Sequence, residues 1–233
     1  MNSLRLLILT LAMLSAPVHA APVTYYFGGM LSYVETALAP HFLVGNAFSG
    51  SFTFDSSSPD INPDPLRGTY APGPRFFASV NGVQYSTTGG GGGSVGVDNN
   101  FGGNDTFGAN SAPLPAETQP EIGGYLPDLF GLVLQDSSGT AFIDDTLPVG
   151  GLNLDDFNVG RFEMNFLLTQ FVGHTPLPFF ASIYGELSYV GLIDPSNNNK
   201  VPEPGSVLLL VMGMGALAIN RRKARMSIQI LNG

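Results

Sequence analysis

The strongest constraint on the fold is a strict two-residue alternation in residues 48–54. Phe48, Gly50, Phe52 and Phe54 occupy the even positions, and Ser or Thr occupies each odd position. Because successive side chains of a β-strand point to opposite faces, this order puts phenyl rings on one face and hydroxyls on the other. A helix would mix the two sets around its surface, since its period is 3.6 residues. The segment predicts a half-buried strand over an aromatic core.

Further strand-like segments follow, separated by turn residues. An Asn-Gly turn at Asn81 and Gly82 predicts a tight hairpin, and the Gly28-Gly29 pair predicts a bend or bulge in the first strand. We also expect residues 140–143 to form a strand that returns after a turn. The other predicted strands are residues 23–27, 30–35, 68–70, 76–80, 83–86, 94–97, 129–135, 161–168 and 179–190.

The remaining segments show no sustained helical period. Residues 98–120 are rich in Asn, Gly and Pro, which predicts a long surface loop. In the last strand, Ile183, Gly185, Leu187 and Tyr189 are expected on one face. Short strands with turns at regular intervals predict an all-β fold, a single antiparallel β-sandwich or jelly roll of about ten strands.

Charge is unevenly distributed along the chain. Residues 21–200 hold 17 of the 18 acidic residues and four of the nine basic ones, so this segment carries a net charge of −13. Such a body repels phosphate backbones, which argues against nucleic acid as a partner. The chain has no cysteine, which excludes disulfides, thiolate catalysis and cysteine-based zinc sites.

Few residues of the body are suited to catalysis. His41 and His174 are its only histidines, and they fall in different halves of the chain. Ser94 lies in a Gly-x-Ser-x-Gly sequence, but a nucleophile elbow needs a strand before the serine and a helix after it. Here a glycine run precedes Ser94 and Asp-Asn-Asn follows soon after. We therefore expect no enzymatic activity and no cofactor.

One acidic loop has the beginning of a calcium-binding pattern. Asp60, Asn62 and Asp64 place side-chain oxygens at loop positions 1, 3 and 5. The pattern then departs, because Pro65 stands where such loops have glycine and no glutamate stands at position 12. A proline-rich acidic turn is the first interpretation. A calcium site at these three residues, with Asp55 as a further ligand, is the alternative.

Residues 1–20 have the parts of a secretory signal peptide. Arg5 precedes an apolar run at residues 6–14, and small residues lead up to Ala20. A run of nine residues is too short to span ~30 Å of hydrocarbon at 1.5 Å per residue. We predict cleavage by signal peptidase between Ala20 and Ala21.

The C-terminal segment carries three consecutive elements: a Val-Pro-Glu-Pro box, an apolar run at residues 207–219 and a basic cluster. As a helix, the run would be about 20 Å long, and residues 205–220 would be about 24 Å long, which is short for a permanent membrane anchor. The positive-inside rule would keep the basic cluster in the cytoplasm and the body outside. The key residues of the box and the cluster are Val201, Pro202, Glu203, Pro204, Arg221, Arg222 and Lys223.

In these residues the chain closely resembles the PEP-CTERM class of bacterial surface proteins, and residues 44–50 resemble the Gly- and Asn-rich β ectodomains of that class. The resemblance implies sorting by an exosortase, a membrane-embedded cysteine protease or transpeptidase that cuts near the Pro-Glu-Pro box. It implies a Gram-negative bacterium and transit through the inner membrane. It also implies a final place at the cell surface or in the extracellular matrix, in the context of biofilm and exopolysaccharide. One departure is that residues 226–233 continue beyond the basic cluster.

The expected organisation has five parts. We expect a surface or matrix protein with a non-enzymatic structural or binding role. The alternative is a secreted carbohydrate-binding or calcium-dependent binding domain. The parts are a signal peptide at 1–20, the β ectodomain at 21–195, a linker with the Pro-Glu-Pro box at 196–204, a transmembrane helix at 205–220 and a basic cytoplasmic tail at 221–233.

Overall fold

The computed structural model describes residues 22–89, 92–114, 118–168 and 180–195. The predicted signal peptide, Pro-Glu-Pro box, transmembrane helix and basic tail lie outside these residues. No helix within the described ranges is long and apolar enough to cross a membrane. The chain divides into two units, Met1–Asp194 and Pro195–Gly233, and the elements of the described residues all belong to the first. They are β1 Pro22–Val34, β2 Ala47–Asp55, β3 Arg67–Tyr70, β4 Arg75–Val80, β5 Val83–Ser86, β6 Gly93–Phe101, β7 Asn104–Ser111, β8 Tyr125–Asp136, β9 Val159–Leu168 and β10 Phe180–Gly191, with short 3-10 helices at Thr36–Leu38 and Leu154–Asp156.

The ten strands form one antiparallel sheet in the order β3-β6-β7-β8-β9-β10-β1-β2-β4-β5. Strands far apart in this order nevertheless touch through their side chains. The ring of Phe52 in β2 lies 5.8 Å from that of Phe107 in β7, and Tyr85 in β5 lies 6.4 Å from Phe130 in β8. The sheet therefore curls until its two halves pack face to face. The all-β antiparallel prediction is confirmed, with one continuous curled sheet supplying both layers.

The predicted phenyl face of residues 48–54 lies at the centre of the core. Phe52 is fully buried, stacks on Tyr25 at a centroid distance of 5.3 Å and packs against Phe76 at 5.6 Å. Such pairs contribute about 0.5–1.5 kcal/mol each beyond the area they bury. The most completely buried aromatic side chains are Tyr25, Tyr85, Tyr125, Phe27, Phe42, Phe52, Phe76, Phe107, Phe130, Phe162 and Phe166.

The predicted Asn-Gly hairpin joins β4 to β5. Asn81 has a φ of 50° and Gly82 a φ of 83°. A type I′ turn requires positive φ at both central residues, and this pair supplies it at little cost. The hairpin is confirmed.

The predicted irregularity at Gly28 and Gly29 is confirmed, and its consequence reaches the facing strand. Gly28 pairs with Tyr189 but Gly29 pairs with Leu187, so Ser188 is an extra residue in β10. Because of this extra residue, the inward and outward positions of β10 are exchanged after the bulge. Tyr189 therefore lies over Gly28 on the outer face of the sheet. The prediction that Tyr189 shares a face with Ile183 was therefore wrong.

The predicted long loop at residues 98–120 was wrong, because most of it forms the end of β6 and the whole of β7. Gly102 and Gly103, with φ of 65° and 87°, make the turn between them. Strand β7 alternates strictly, with Asp105, Phe107 and Ala109 turned into the core. Its abundant Asn and Gly residues occupy the outer positions, where small polar side chains are tolerated.

The predicted returning strand at residues 140–143 was also wrong. The backbone N–H of Thr140 donates to the Asp136 carboxylate at 2.8 Å, and that of Phe142 donates to the Asp105 carboxylate at 2.7 Å. In a strand, the N–H groups of Thr140 and Phe142 would point to the same side and bind a neighbouring strand. Here carboxylate side chains occupy both of them. Residues 137–158 instead form a long connection from β8 to β9.

Candidate functional site

The three residues predicted as calcium ligands lie together in the loop before β3, where they form consecutive turns. The Asp60 Oδ1 atom accepts from the N–H groups of Asn62 at 2.9 Å and Thr69 at 2.8 Å. Asn62 Oδ1 accepts from Asp64 N–H at 3.1 Å, and Asp64 Oδ1 accepts from Leu66 N–H at 3.0 Å. Each side-chain oxygen thus binds a backbone donor two residues on, as Asx turns do.

This loop also covers one edge of the sheet. Strand β3 is the outermost strand on that side, and Asp60 forms a bridge with Tyr70 while Ile61 N–H donates to Thr69 O at 2.9 Å. The Asp60 carboxylate accepts a hydrogen bond from the Thr69 N–H, which would otherwise be unpaired at the edge of the sheet. Exposed edges template pairing with other chains, so the loop protects β3.

At the opposite edge, one amide side chain binds the last residue of β5. Gln119 Nε2 donates to Ser86 O at 2.5 Å, and Ser86 N–H donates to Gln119 Oε1 at 3.4 Å. The Gln119 amide thus makes the two hydrogen bonds to Ser86 that the backbone of a neighbouring strand would make. Irregular segments of the same chain thus cover the β3 edge and cap the β5 edge at Ser86.

Within the described part of the chain, no three His, Cys, Asp or Glu side chains are grouped so as to hold a metal ion. Asp55, the further candidate ligand, accepts from the N–H and hydroxyl of Ser57, both at 2.8 Å. These hydrogen bonds lower the pKa of Asp55 below its ordinary value. Calcium binding by Asp60, Asn62 and Asp64 stays a prediction.

A second acidic centre, which the sequence patterns did not indicate, lies where β7 begins and β8 ends. Asp105 is fully buried and accepts from Asn100 N–H at 2.6 Å as well as from Phe142 N–H. Asp136 is also buried and accepts from Thr140 N–H and from the N–H and hydroxyl of Ser138, the latter at 2.9 and 2.7 Å. These bonds, the one from Thr140 N–H foremost, hold the pKa of Asp136 at about 2.

Two tyrosines fasten the same long connection to the sheet. The Tyr25 hydroxyl donates to Pro148 O, and the Tyr70 hydroxyl donates to Asp145 O at 2.8 Å. Burial raises the pKa of both phenols, that of Tyr70 to about 12, so both remain donors at neutral pH. A surface pocket of about 360 Å³ lies beside this connection and is lined by Asp136, Ser138, Thr140, Ala141, Asp155, Asp156, Phe157 and Asn158.

Ser94 and His41, the two candidate catalytic residues that the structure describes, lie in separate segments of the fold. Ser94 lies inside β6, where its N–H donates to Asn110 Oδ1 at 3.2 Å, so the strand-to-helix elbow is not formed there. His41 is exposed in the turn before β2, and His174 lies outside the described residues. The predicted signal-cleavage residues, Ala20 and Ala21, also lie outside them.

Comparison with known proteins identifies one segment. The family model of the PEP-CTERM protein-sorting motif matches residues 200–225. No curated protein and no solved structure was found to be similar to the chain. The matched segment contains the Val-Pro-Glu-Pro box, the apolar run and the basic cluster in order. The chain therefore carries a PEP-CTERM protein-sorting motif, the signal by which exosortase processes exported proteins that Gram-negative bacteria sort to their surface.

Proposed function

We propose that this protein is a non-enzymatic structural component of the cell envelope or extracellular matrix. The observation that carries the proposal is the sorting motif at residues 200–225. The β body supports it, because its buried carboxylates, Asp105 and Asp136, bind backbone donors and organise a loop. Groups used in this way serve the fold and are not poised for proton transfer.

The proposed route begins with export and removal of residues 1–20 by signal peptidase. The predicted transmembrane helix at 205–220 then halts in the inner membrane, with Arg221 and Arg222 on the cytoplasmic side. Exosortase cuts near the Pro-Glu-Pro box and delivers the body to the surface or matrix, where exopolysaccharide is the proposed neighbour. The delivered body lacks the predicted transmembrane helix at 205–220, and the charge of −13 on residues 21–200 keeps it dispersed at low ionic strength.

The test is fractionation of a strain that contains an exosortase. Replacing Pro202, Glu203 and Pro204 together with alanine should leave the longer, unprocessed chain in the inner membrane. The matched control replaces the three asparagines at 197–199 with alanine, just before the motif. The control should be processed and located as the wild type is.

Two outcomes would contradict the proposal. The first is the same size and location for the Pro-Glu-Pro variant and the wild type. The second is equal retention of the variant and the asparagine control, which would mean that any change in this segment blocks export.

The second candidate is a secreted domain that binds calcium or carbohydrate. For calcium, the favouring observation is that Asp60, Asn62 and Asp64 are already held in one short loop. Each carboxylate there uses Oδ1 for the turn, so a cation would bind through the second oxygens of Asp60 and Asp64.

A further inference from the structure

One row of residues crosses the outer face of the curled sheet, and we call it the outer row. Its members are directly opposed on six neighbouring strands, β6, β7, β8, β9, β10 and β1. With strands ~4.8 Å apart, the row is about 24 Å long. Its six residues are Ser94, Asn110, Gly131, Glu163, Tyr184 and Tyr33.

The outer row points away from the core along its whole length. Val95, Ala109 and Ile183, each next to a row member in sequence, are buried. Because side chains alternate along a strand, their neighbours in the row face outward. The row is therefore a surface track that runs perpendicular to the strands.

The β1 end of the outer row is aromatic and fixed in place. Tyr184 stacks on Tyr33 at a centroid distance of 5.4 Å and an angle of 27°, and the Arg161 guanidinium lies 5.1 Å from the Tyr184 centroid. Arg161 and Tyr33 lie on strands to either side of β10, so Tyr184 is enclosed between them. Arg161, Tyr184 and Tyr33 thus form a stack, which we call the tyrosine column, and Tyr33 is its last member. Tyr33 is 43% exposed, and its hydroxyl donates a hydrogen bond to Glu35 at 3.0 Å. Its ring is thus presented to solvent in one orientation.

The middle of the outer row is flat and polar. Glu163 lies across Gly131, and its Cγ would be 2.8 Å from a Cβ at that position. The same carboxylate pairs with Arg161 at 3.5 Å. Asn110 and Ser94 continue the row with an amide and a hydroxyl. A ligand lying along the row would meet hydrogen-bonding groups at the level of the sheet.

The combination of groups selects one class of extended ligand. A sugar ring offers an apolar C–H face to an aromatic ring and hydroxyls to carboxylates and amides. The carboxylates of Glu35 and Glu163, together with the net charge of −13, repel polyanions such as nucleic acid and acidic glycans. A neutral sugar chain meets no such repulsion and can extend along the row.

We propose that the outer row binds an extended segment of a neutral polysaccharide, an inference that rests on the proposed surface location and deepens the carbohydrate-binding alternative. One sugar ring stacks on Tyr33. Hydroxyls further along the chain bind Glu163 and Asn110. Because the tyrosine column is already assembled by Arg161 and Glu35, little side-chain entropy is lost on binding.

The test is electrophoresis of the full chain through gels that contain a soluble polysaccharide. The chain is purified in a detergent without sugar headgroups, and the panel contains neutral glucan, mannan, galactan and xylan, with alginate as the anionic contrast. Tyr33→Ala removes the stacking ring, and Tyr33→Phe keeps it. Phe77→Ala is the matched control, because Phe77 is 42% exposed on β4, away from the outer row.

At least one neutral polysaccharide should retard the wild type, and alginate should not. Tyr33→Ala should weaken the retardation about tenfold, since a ring contact contributes up to about 1.5 kcal/mol. Tyr33→Phe and Phe77→Ala should stay within about twofold of the wild type. Asn110→Ala, near the other end of the row, should weaken it severalfold.

Several results would overturn the inference. They are no retardation by any neutral polymer, retardation by alginate alone, or equal losses for Tyr33→Ala and Phe77→Ala. A loss in Tyr33→Ala with none in Asn110→Ala would overturn the extended segment. Fractionation separates this inference from the sorting proposal: a correctly sorted chain that is not retarded refutes only the sugar site, and a retarded chain that is never sorted refutes only the sorting.

Discussion

Asp105 and Asp136 lie directly opposite each other on β7 and β8, with both carboxylates buried on the core side of the sheet. Like charges in directly opposed positions normally destabilise a sheet. Here each carboxylate accepts hydrogen bonds from backbone N–H groups, and the donors include Thr140 and Phe142 of one loop. The pair therefore fixes the connection after β8 to the end of the sheet.

The first prediction concerns Asp105→Ala. The substitution leaves the N–H groups of Asn100 and Phe142 without their acceptor in a buried setting. Because an unsatisfied buried donor costs about 1–3 kcal/mol, the free energy of unfolding should fall by about 2–4 kcal/mol. Urea denaturation measures this change.

The control for Asp105→Ala is Asp128→Ala. Asp128 is an exposed carboxylate on β8, the strand that also carries Asp136. Its replacement should change the free energy of unfolding by less than about 0.5 kcal/mol. Equal effects of the two substitutions would show that general charge reduction, and not the bonds of Asp105, sets the stability.

The second prediction is a pH dependence from Asp136. Its pKa in the folded chain is about 2, below the ordinary value of 3.8, chiefly because Thr140 N–H binds the ionised form. A lowered pKa stabilises the fold fully above about pH 4, and this contribution is lost as the pH falls toward about 2. Thermal melting should show the same trend.

The variant Asp136→Asn isolates this contribution. It should melt below the wild type at neutral pH, because its side chain keeps one acceptor oxygen where Asp136 uses two. The difference between the two melting temperatures should shrink as the pH is lowered from 5 to 2. A difference that stays constant over this range would mean that ionisation of Asp136 does not contribute.

The third prediction uses two adjacent residues that face opposite ways. Phe76 is buried among Phe27, Phe52 and Phe130, whereas Phe77 is 42% exposed. Phe76→Ala should cost about 3–5 kcal/mol, and Phe77→Ala should stay near 0.5 kcal/mol. Both variants are compared by chemical denaturation. Similar costs for the two would contradict the register of β4 on β2.

The sequence predicted the structure correctly where a segment had a clear side-chain period or a specific turn sequence. The phenyl face of residues 48–54 and the Asn81-Gly82 turn are examples, because each is decided by residues close in sequence. The prediction of a loop at residues 98–120 failed for a physical reason. Their Asn and Gly residues resemble loop composition, yet on the outer face of a central strand they cost little. The inward order of Asp105, Phe107 and Ala109 was the available signal.

The candidate sites depend on contacts between residues that are far apart in sequence, and these contacts could not be predicted from residue spacing. Asp105 and Asp136 are 31 positions apart, and only the β7–β8 register opposes them. Tyr33 and Tyr184 are still further apart and meet through the pairing of β1 with β10. By contrast, the sorting motif is continuous in sequence, so the motif was identifiable from residue order alone.

The last prediction separates two roles of Asp60, which covers the β3 edge and is also the first candidate calcium ligand. Asp60→Ala removes the acceptor for the N–H groups of Asn62 and Thr69. Both hydrogen bonds lie at the exposed surface, where water can replace the lost acceptor, so the free energy of unfolding should fall by only about 1 kcal/mol. Aggregation through the uncovered edge should rise. Asp60→Asn keeps an acceptor oxygen and loses the charge, so it should retain most of the stability.

Calcium distinguishes the roles further, with magnesium as the control cation. If Asp60 serves only the edge, millimolar calcium leaves the melting temperatures of the wild type and Asp60→Asn unchanged. A calcium-specific rise in the wild type that Asp60→Asn abolishes would instead establish the site at Asp60, Asn62 and Asp64, because binding to the folded state alone raises its stability. A rise of equal size in both would place the bound cation elsewhere on the acidic body. Melting and light scattering on the same samples report stability and aggregation together.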